Sequence, residues 1–534
     1  MKARYETWKD LDLSWDIIVV GGGITGAGII EEASKKGYKT LLLDAKDFAW
    51  GTSSRSSKMI HGGLRYLPQG QFGLTFEALE ERESLLQSLP GLVKPLVYVF
   101  PHLKGQFPPP FLFRILLFLY ELMSRRRTRK FFSKAQSHFI APRLMKDEIV
   151  GASSYEDAIT DDARLVTRVL HDAVRWGGIA LNYTKVVRLK RDGDGQVNGV
   201  IARCGLTGEE KTLRASAVVN ATGAWVDELR GQINKKPVIR PLRGSHLILA
   251  PDLLPVTQSI TFFHPDDKRP VYAFPWAGRT VIGTTDIDHD GSIDEEASIT
   301  KTEYSYLKRS LADIIPGSEI PDEQIISTYS GIRPVIKRGS GLSPSKEKRA
   351  HSLYEDDGLI SITGGKLTTF RPMAREVMNK IIKRAVRDTK QKGSLTNKRL
   401  PMPSPLTPLP LSPRVQGFKL SVPASAHERL SGYYGHHLDL MAEESSSSEW
   451  QQIPESDVYW AEISYILKQE SVVHLDDLML RRTRLGLILP QGGNAILPEL
   501  QALCERFLGW DAQHFAHEKT RYQKIWQQNY SMPE

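Results

Sequence analysis

Cysteine is nearly absent: Cys204 and Cys504 are the only two in 534 residues. Two thiols cannot build a disulfide framework, a four-cysteine zinc cage or a cysteine-ligated iron–sulfur cluster. Such sparing use fits a reducing compartment. Long apolar runs are missing as well. The most prominent, residues 111–123 (FLFRILLFLYELM), has thirteen residues, whereas a helix needs about 20 to cross a bilayer. The opening segment MKARYETWKDLDLSWD carries acids and no apolar signal region, so nothing in it points to export. No repeat of 20–50 residues is visible. Charge of one sign is in small excess only: 71 basic residues against 62 acidic ones give +9, and nucleic-acid binding is a poor default. Two local basic clusters, residues 125–130 (RRRTRK) and 481–484 (RRTR), suit an anionic membrane surface or a phosphorylated ligand as well as they suit nucleic acid.

What is present is an ordinary globular composition, 40% hydrophobic and 25% charged, in a chain long enough for several domains. The first strong signal is the β-branched run 16–20 (DIIVV), which predicts a buried parallel strand. It runs into GGGITGAG, then a predicted helix over 24–36, then a second strand over 40–44. This is one βαβ unit. A helix is predicted over 163–175, extended segments over 181–189 and 197–204, and an apolar strand over 215–221. Residues 241–251 and 271–285 read as strands of a different, mostly antiparallel sheet. Residues 359–363 form a short strand before GGKLTTFR opens a helix to about residue 387. A strand–glycine–helix pattern at both ends of a long insertion predicts a nucleotide-binding domain interrupted by a second domain. The proline-rich stretch 388–418 reads as an extended linker. Helices over 459–470, 475–484 and 499–508 predict a separate helical domain over 419–534, with residues 445–448 as a loop.

Gly21-x-Gly23-x-x-Gly26 stands after a strand and opens a helix, the context a dinucleotide fingerprint requires. Gly21 permits the tight turn, Gly23 lets the backbone approach a pyrophosphate, and Gly26 allows close helix packing. Gly22 and Thr25 belong to the same turn, whose free amides would face the phosphates. Asp44 ends the second strand at about the spacing of a ribose-binding acid. Residues 51–58 (GTSSRSSK) supply hydroxyls and amides through Thr52, Ser53, Ser56, Ser57 and Lys58, which suits a flavin pyrophosphate and ribityl chain. His61, Arg65 and Tyr66 follow in a glycine-loosened turn. Lys366, after Gly364 and Gly365, stands at a helix start, where a cation is unfavourable unless a ligand compensates it. Nothing clusters as metal ligands; His436 and His437 are a tandem pair without supporting acids.

TSSRSSKMIHGGLRYL (52–67) and GGKLTTFRPMA (364–374) resemble the motifs of FAD-dependent glycerol-3-phosphate dehydrogenases, the aerobic, quinone-linked type. The resemblance continues in order through DDARLV (161–166), NATGAWV (220–226), RGSH (243–246), IGTTD (282–286), TYSGIRP (328–334) and LRRTRLG (480–486). Phe370 stands where that family usually has tyrosine, and Ala350 where an acid is common. The resemblance implies an α/β fold: a Rossmann-like FAD-binding domain (14–105, 155–225 and 350–387), an inserted mainly antiparallel-sheet substrate domain (106–154 and 226–349), and the C-terminal helical domain. It implies FAD as cofactor, contacted also by Val186 or Val187, and by Thr222, Gly223, Gly364, Gly365, Leu367 and Thr368. It implies sn-glycerol 3-phosphate as substrate, bound by Arg65, Tyr66, Arg333, Arg349 and Lys366, with Arg333 and Lys366 also acting in the chemistry. His61 and His246 are the candidate proton acceptors, and the residues do not decide between them. A quinone acceptor, a homodimer and a peripheral position on an anionic membrane surface, at the inner face of the cytoplasmic membrane, are implied too. Residues 111–123, with the basic run behind them, would lie in that interface.

Overall fold

The computed structural model describes residues 4–124, 126–140, 148–314, 321–337, 350–391 and 422–533. Most of the proline-rich stretch and Arg349 therefore lie outside the described residues.

The β-branched run forms the strand Ser14–Val20, with Thr40–Leu43 parallel on one side and Glu210–Asn220 parallel on the other. Leu359–Gly364 extends the parallel set beyond Glu210–Asn220, and Ile179–Leu181 extends it beyond Thr40–Leu43. Because the strand is covered on both faces, alternate residues serve two cores. Ile17 and Val19 pack with Ile29, Ile30, Val166 and Val377 from the helices Ile24–Lys35, Asp162–Arg175 and Phe370–Gln391. Ile18 and Val20 pack on the other side with Val186, Val200 and Leu213, from a group of antiparallel strands. Each such side chain taken fully from water contributes about 1.5–3 kcal/mol. Phe370 is wholly buried, and its ring fills the space beside Gly28. An apolar ring without a hydroxyl fits that contact.

A second sheet has ten strands. Its long members are antiparallel pairs: Val93–Leu103 with Ile149–Thr160, and Ile239–Leu249 with Ile325–Ile336. One parallel contact, Ser259 beside Tyr98, joins its two halves. The C-terminal region is helical, with Ala424–Tyr434, Trp460–Gln469, Leu497–Leu508 and Ala512–Asn529 as its main members.

Two expectations change. Residues 475–484 form a π-helical turn, Asp477–Arg482, instead of a regular helix, and Arg484 adopts left-handed backbone. Residues 445–448 are not a plain loop: Ser446 caps the short turn Ser447–Trp450 through Glu449. The first change has a clear cause. Arg481, Arg482 and Arg484 are 1%, 3% and 2% exposed, so this basic cluster faces the interior. Arg482 forks onto Asp47, donating Nη1 to Oδ2 and Nη2 to Oδ1 at 2.8 Å each. Arg481 reaches Asp47, Asp476 and Asp477. Arg484 reaches Asp161 and Asp162. Cations buried this deeply require paired carboxylates, and the widened turn directs all three inward.

Candidate active site

The nucleotide fingerprint closes as the glycines require. Gly21 has φ 109°, and a Cβ there would meet the Ala221 carbonyl at 2.6 Å. A Cβ on Gly26 would stand 1.9 Å from the Gly21 carbonyl oxygen, so neither position tolerates a side chain. Gly23 caps the helix Ile24–Lys35 without a side-chain partner. Asp44 accepts from Gly22 N at 2.5 Å and from Lys46 N at 2.8 Å. Burial pushes its carboxyl up to about 6, against the pull of those two amides.

These residues open onto an elongated cavity of about 470 Å³. It is lined by Gly21, Gly23, Thr25, Asp44, Thr52 and Ser53, by Thr222 and Gly223, and by Gly364, Gly365, Lys366 and Leu367. Gly22 and Gly26 shape the turn from behind. Val186 lines the cavity. Val187 does not; it stands where the pairing register of the strand Thr184–Arg191 shifts, between Val186 and Arg188. Trp50 and Trp225, rings 5.9 Å apart, also line it. Trp225 falls within the NATGAWV motif (220–226), which gave it no role of its own, and no motif marked Trp50.

A second cavity of about 250 Å³ adjoins the first and shares Thr52 and residues 364–367 with it. Ser56, Ser57, His61, Arg65, Tyr66, Arg333 and Thr368 line it. Arg333 donates Nη1 to Asp286 Oδ1 at 2.7 Å and Nη2 to Thr284 Oγ1 at 2.9 Å. A Cβ on Gly244 would fall 2.2 Å from the Arg333 guanidinium, so that glycine makes the arginine's bed. Tyr66 is held between two cations: the Arg65 guanidinium lies 5.0 Å from its ring centroid and Lys366 Nζ 3.9 Å. Burial lowers the Lys366 ammonium from its ordinary value. Its Nζ is buried without a hydrogen-bond acceptor among the described residues.

Besides Gly22, Gly26 and Val187, two more expected residues stand outside both cavities. Lys58 is wholly buried, 3.0 Å from Asp162, and braces residues 51–58 from below. His246 lies behind Ser57, with Nε2 and Ser57 Oγ 2.9 Å apart, and stacks on Tyr329 at 4.5 Å. Burial, with Arg333 and Lys58 nearby, keeps its imidazole well below the usual histidine range and so neutral. Asp162, in the DDARLV motif but without a role assigned from sequence, supports the loop: Oδ2 accepts from Ser56 N at 2.9 Å and from Ser56 Oγ at 2.7 Å.

FAD fits this site on two observations: the side-chain-free cradle at Gly21 and Gly26, and the buried Lys366 ammonium in the same cavity, which has the Tyr66 ring but, among the described residues, no counter-charge beside it and which an electron-rich flavin would compensate.

The comparisons agree with that fit. Residues 16–375 match the model of the FAD-dependent oxidoreductases, and residues 374–515 match the C-terminal domain of alpha-glycerophosphate oxidase. The aerobic glycerol-3-phosphate dehydrogenase of Staphylococcus aureus strain USA300 is 33% identical over 485 residues, 88% of this chain and 86% of the relative. The crystal structure of the glycerol-3-phosphate dehydrogenase from Bacillus halodurans complexed with FAD superposes with a TM-score of 0.75 at 27% identity, covering 99% of this chain and 97% of that one. An L-alpha-glycerophosphate oxidase from Mycoplasma pneumoniae with FAD bound shares the fold, with a TM-score of 0.56 at 17% identity over 69% of this chain and 94% of that one. The chain belongs to the FAD-dependent oxidoreductases, in the family of the glycerol-3-phosphate dehydrogenases and oxidases.

Proposed function

We propose that the protein oxidises sn-glycerol 3-phosphate to dihydroxyacetone phosphate and passes the electrons to a quinone. The observation that carries the substrate is the convergence of Arg65, Arg333 and Lys366 on a small cavity beside the glycine wall 364–365. A phosphate dianion needs several fixed donors, and planar guanidinium forks supply them best. Arg333, already oriented by Asp286 and Thr284, holds the phosphate with Arg65. Lys366 bridges the substrate end and the cofactor end of the site.

FAD, when bound, accepts the hydride that leaves carbon two. The hydroxyl on that carbon must lose its proton as the carbonyl forms. His61 lines the cavity and takes that proton, the role histidine fills near neutral pH. His246 orients Ser57 from behind. An amine or 2-hydroxy acid substrate would leave three cations facing no phosphate, and that rival is the weaker reading.

Attachment to an anionic membrane at its inner face is part of the proposal. The helix Pro110–Ser124 exposes Phe111, Ile115, Phe118 and Leu122, beside exposed Phe72, Phe76 and Phe107. Among the described residues no helix is long and apolar enough to span a bilayer. A contiguous apolar patch of this kind marks an interaction surface, and Arg127 and Lys130 lie exposed behind it. The cluster 481–484, by contrast, is buried and paired, so it offers nothing to lipid or to nucleic acid.

One experiment tests acceptor and membrane together. Mixed with anionic vesicles containing a quinone, the protein sediments with them, and added sn-glycerol 3-phosphate reduces the quinone without peroxide. Stoichiometric peroxide with the quinone left oxidised would instead assign the oxidase reaction. A protein that stays in the supernatant would remove the membrane from the account.

A further inference from the structure

The last residues of the chain reach the loop of residues 51–58. Tyr530, just beyond the helix Ala512–Asn529, is 3% exposed. Its hydroxyl donates to Glu296 and accepts from Arg55 Nε at 3.3 Å and Nη2 at 3.2 Å. Arg55 also donates to Glu296 and lies 4.9 Å over the Trp50 ring. The Tyr530 carbonyl accepts from Thr328 N at 2.7 Å, and the Ser531 carbonyl from Thr328 Oγ1 at 2.9 Å. That ties the tail to the strand Ile325–Ile336, which carries Arg333.

A second grip comes from the same region of the chain. Arg484 Nη2 donates to the Ser54 carbonyl at 3.1 Å and to Asp162, whose other oxygen holds Ser56. Both grips land on residues 54–56, where Arg55 and Ser56 line the second cavity with Ser57, next to Thr52 and Ser53, which line the first. Tyr530, Glu296, Asp162 and Arg484 line neither cavity. The loop itself is built of small polar residues with little apolar surface to anchor it. Ordering such a segment costs conformational entropy, which contacts from outside the site can offset before any ligand binds.

We propose that the C-terminal helical region is a clamp on this loop, and that Tyr530 and Arg484 are its positioning residues. They act through the loop, fixing the hydroxyls and amides that face FAD. The inference rests on the FAD site and is independent of which substrate the second cavity takes.

The test uses the full chain with Tyr530→Phe, which removes one oxygen and keeps the ring, and with Arg484→Lys as a second variant. Two quantities are read without substrate: amide hydrogen exchange across residues 51–58, and the rate of FAD release followed by flavin fluorescence. Loss of hydrogen bonds to an ionised pair raises both by about tenfold in Tyr530→Phe, while exchange in the helix Trp460–Gln469 stays at the parent level. Arg484→Lys, where it folds, moves the same two readouts further. Loop exchange and FAD release equal to the parent's in Tyr530→Phe would overturn the proposal. So would an increase spread evenly over the C-terminal helices, which would reduce Tyr530 to a packing residue.

Discussion

Arg333→Leu lowers kcat/KM for sn-glycerol 3-phosphate by about three orders of magnitude and leaves the protein yellow. The size follows from removing one partner of a buried, charge-assisted contact, which costs about 2–5 kcal/mol, with each 1.4 kcal/mol worth about a factor of ten. The guanidinium is held on its bed above Gly244 by Asp286 and Thr284, so the substrate meets a fixed fork. Asp286 keeps a second cation, Arg269, at 3.5 Å, so its carboxylate is not stranded and the fold survives the change. Arg333→Lys restores the charge without the fork and recovers only part of the loss. Steady-state kinetics beside the visible absorbance of bound flavin separate the two effects. Equal loss of flavin and activity would move Arg333 from substrate binding to cofactor retention.

Asp47→Ala has the largest expected effect on stability, a loss of about 3–5 kcal/mol. Asp47 follows the second strand of the fingerprint and accepts from Arg481, from both forks of Arg482 and from Asn182 at 2.9 Å. Removing the carboxylate leaves two buried guanidinium groups short of their counter-charge. Burial alone would raise the Asp47 carboxyl, but Arg482 and Arg481 outweigh it and hold it below its ordinary value. A carboxyl depressed in the folded state stabilises above its unfolded pKa of about 4, and that stability is lost as pH falls through the lower folded value. Urea midpoints of parent and variant should therefore differ fully at pH 7 and converge in strong acid. A constant gap across that range would mean the residue acts by packing and not by charge.

Much of the cofactor half was legible in the sequence because its determinants are local. The turn at residues 21–26 is dictated by backbone clearances, and a six-residue pattern is enough to state them. The same holds for the two glycines before Lys366, whose isolated cation at a helix start already asked for a ligand. What escaped depends on distant partners. Arg484 meets Asp161 across 323 positions and Arg482 meets Asp47 across 435, so a run of arginines that suited an anionic surface or ligand became an interior clamp. Between Val186 and Val187 the sequence could not choose, and only Val186 lines the cavity, because Val187 stands at a shift in the strand register that no local pattern announces. His246 and Lys58 belong to motifs that border the site, yet the second sheet sets them one layer behind it. Sequence could name that layer's residues but not their depth.

The most direct measurement is the visible spectrum of the purified, FAD-loaded protein under anaerobic conditions, before and after one equivalent of sn-glycerol 3-phosphate. The account predicts that the yellow oxidised-flavin band bleaches as hydride reaches the cofactor. A fully loaded flavin that stays oxidised with excess substrate would contradict it.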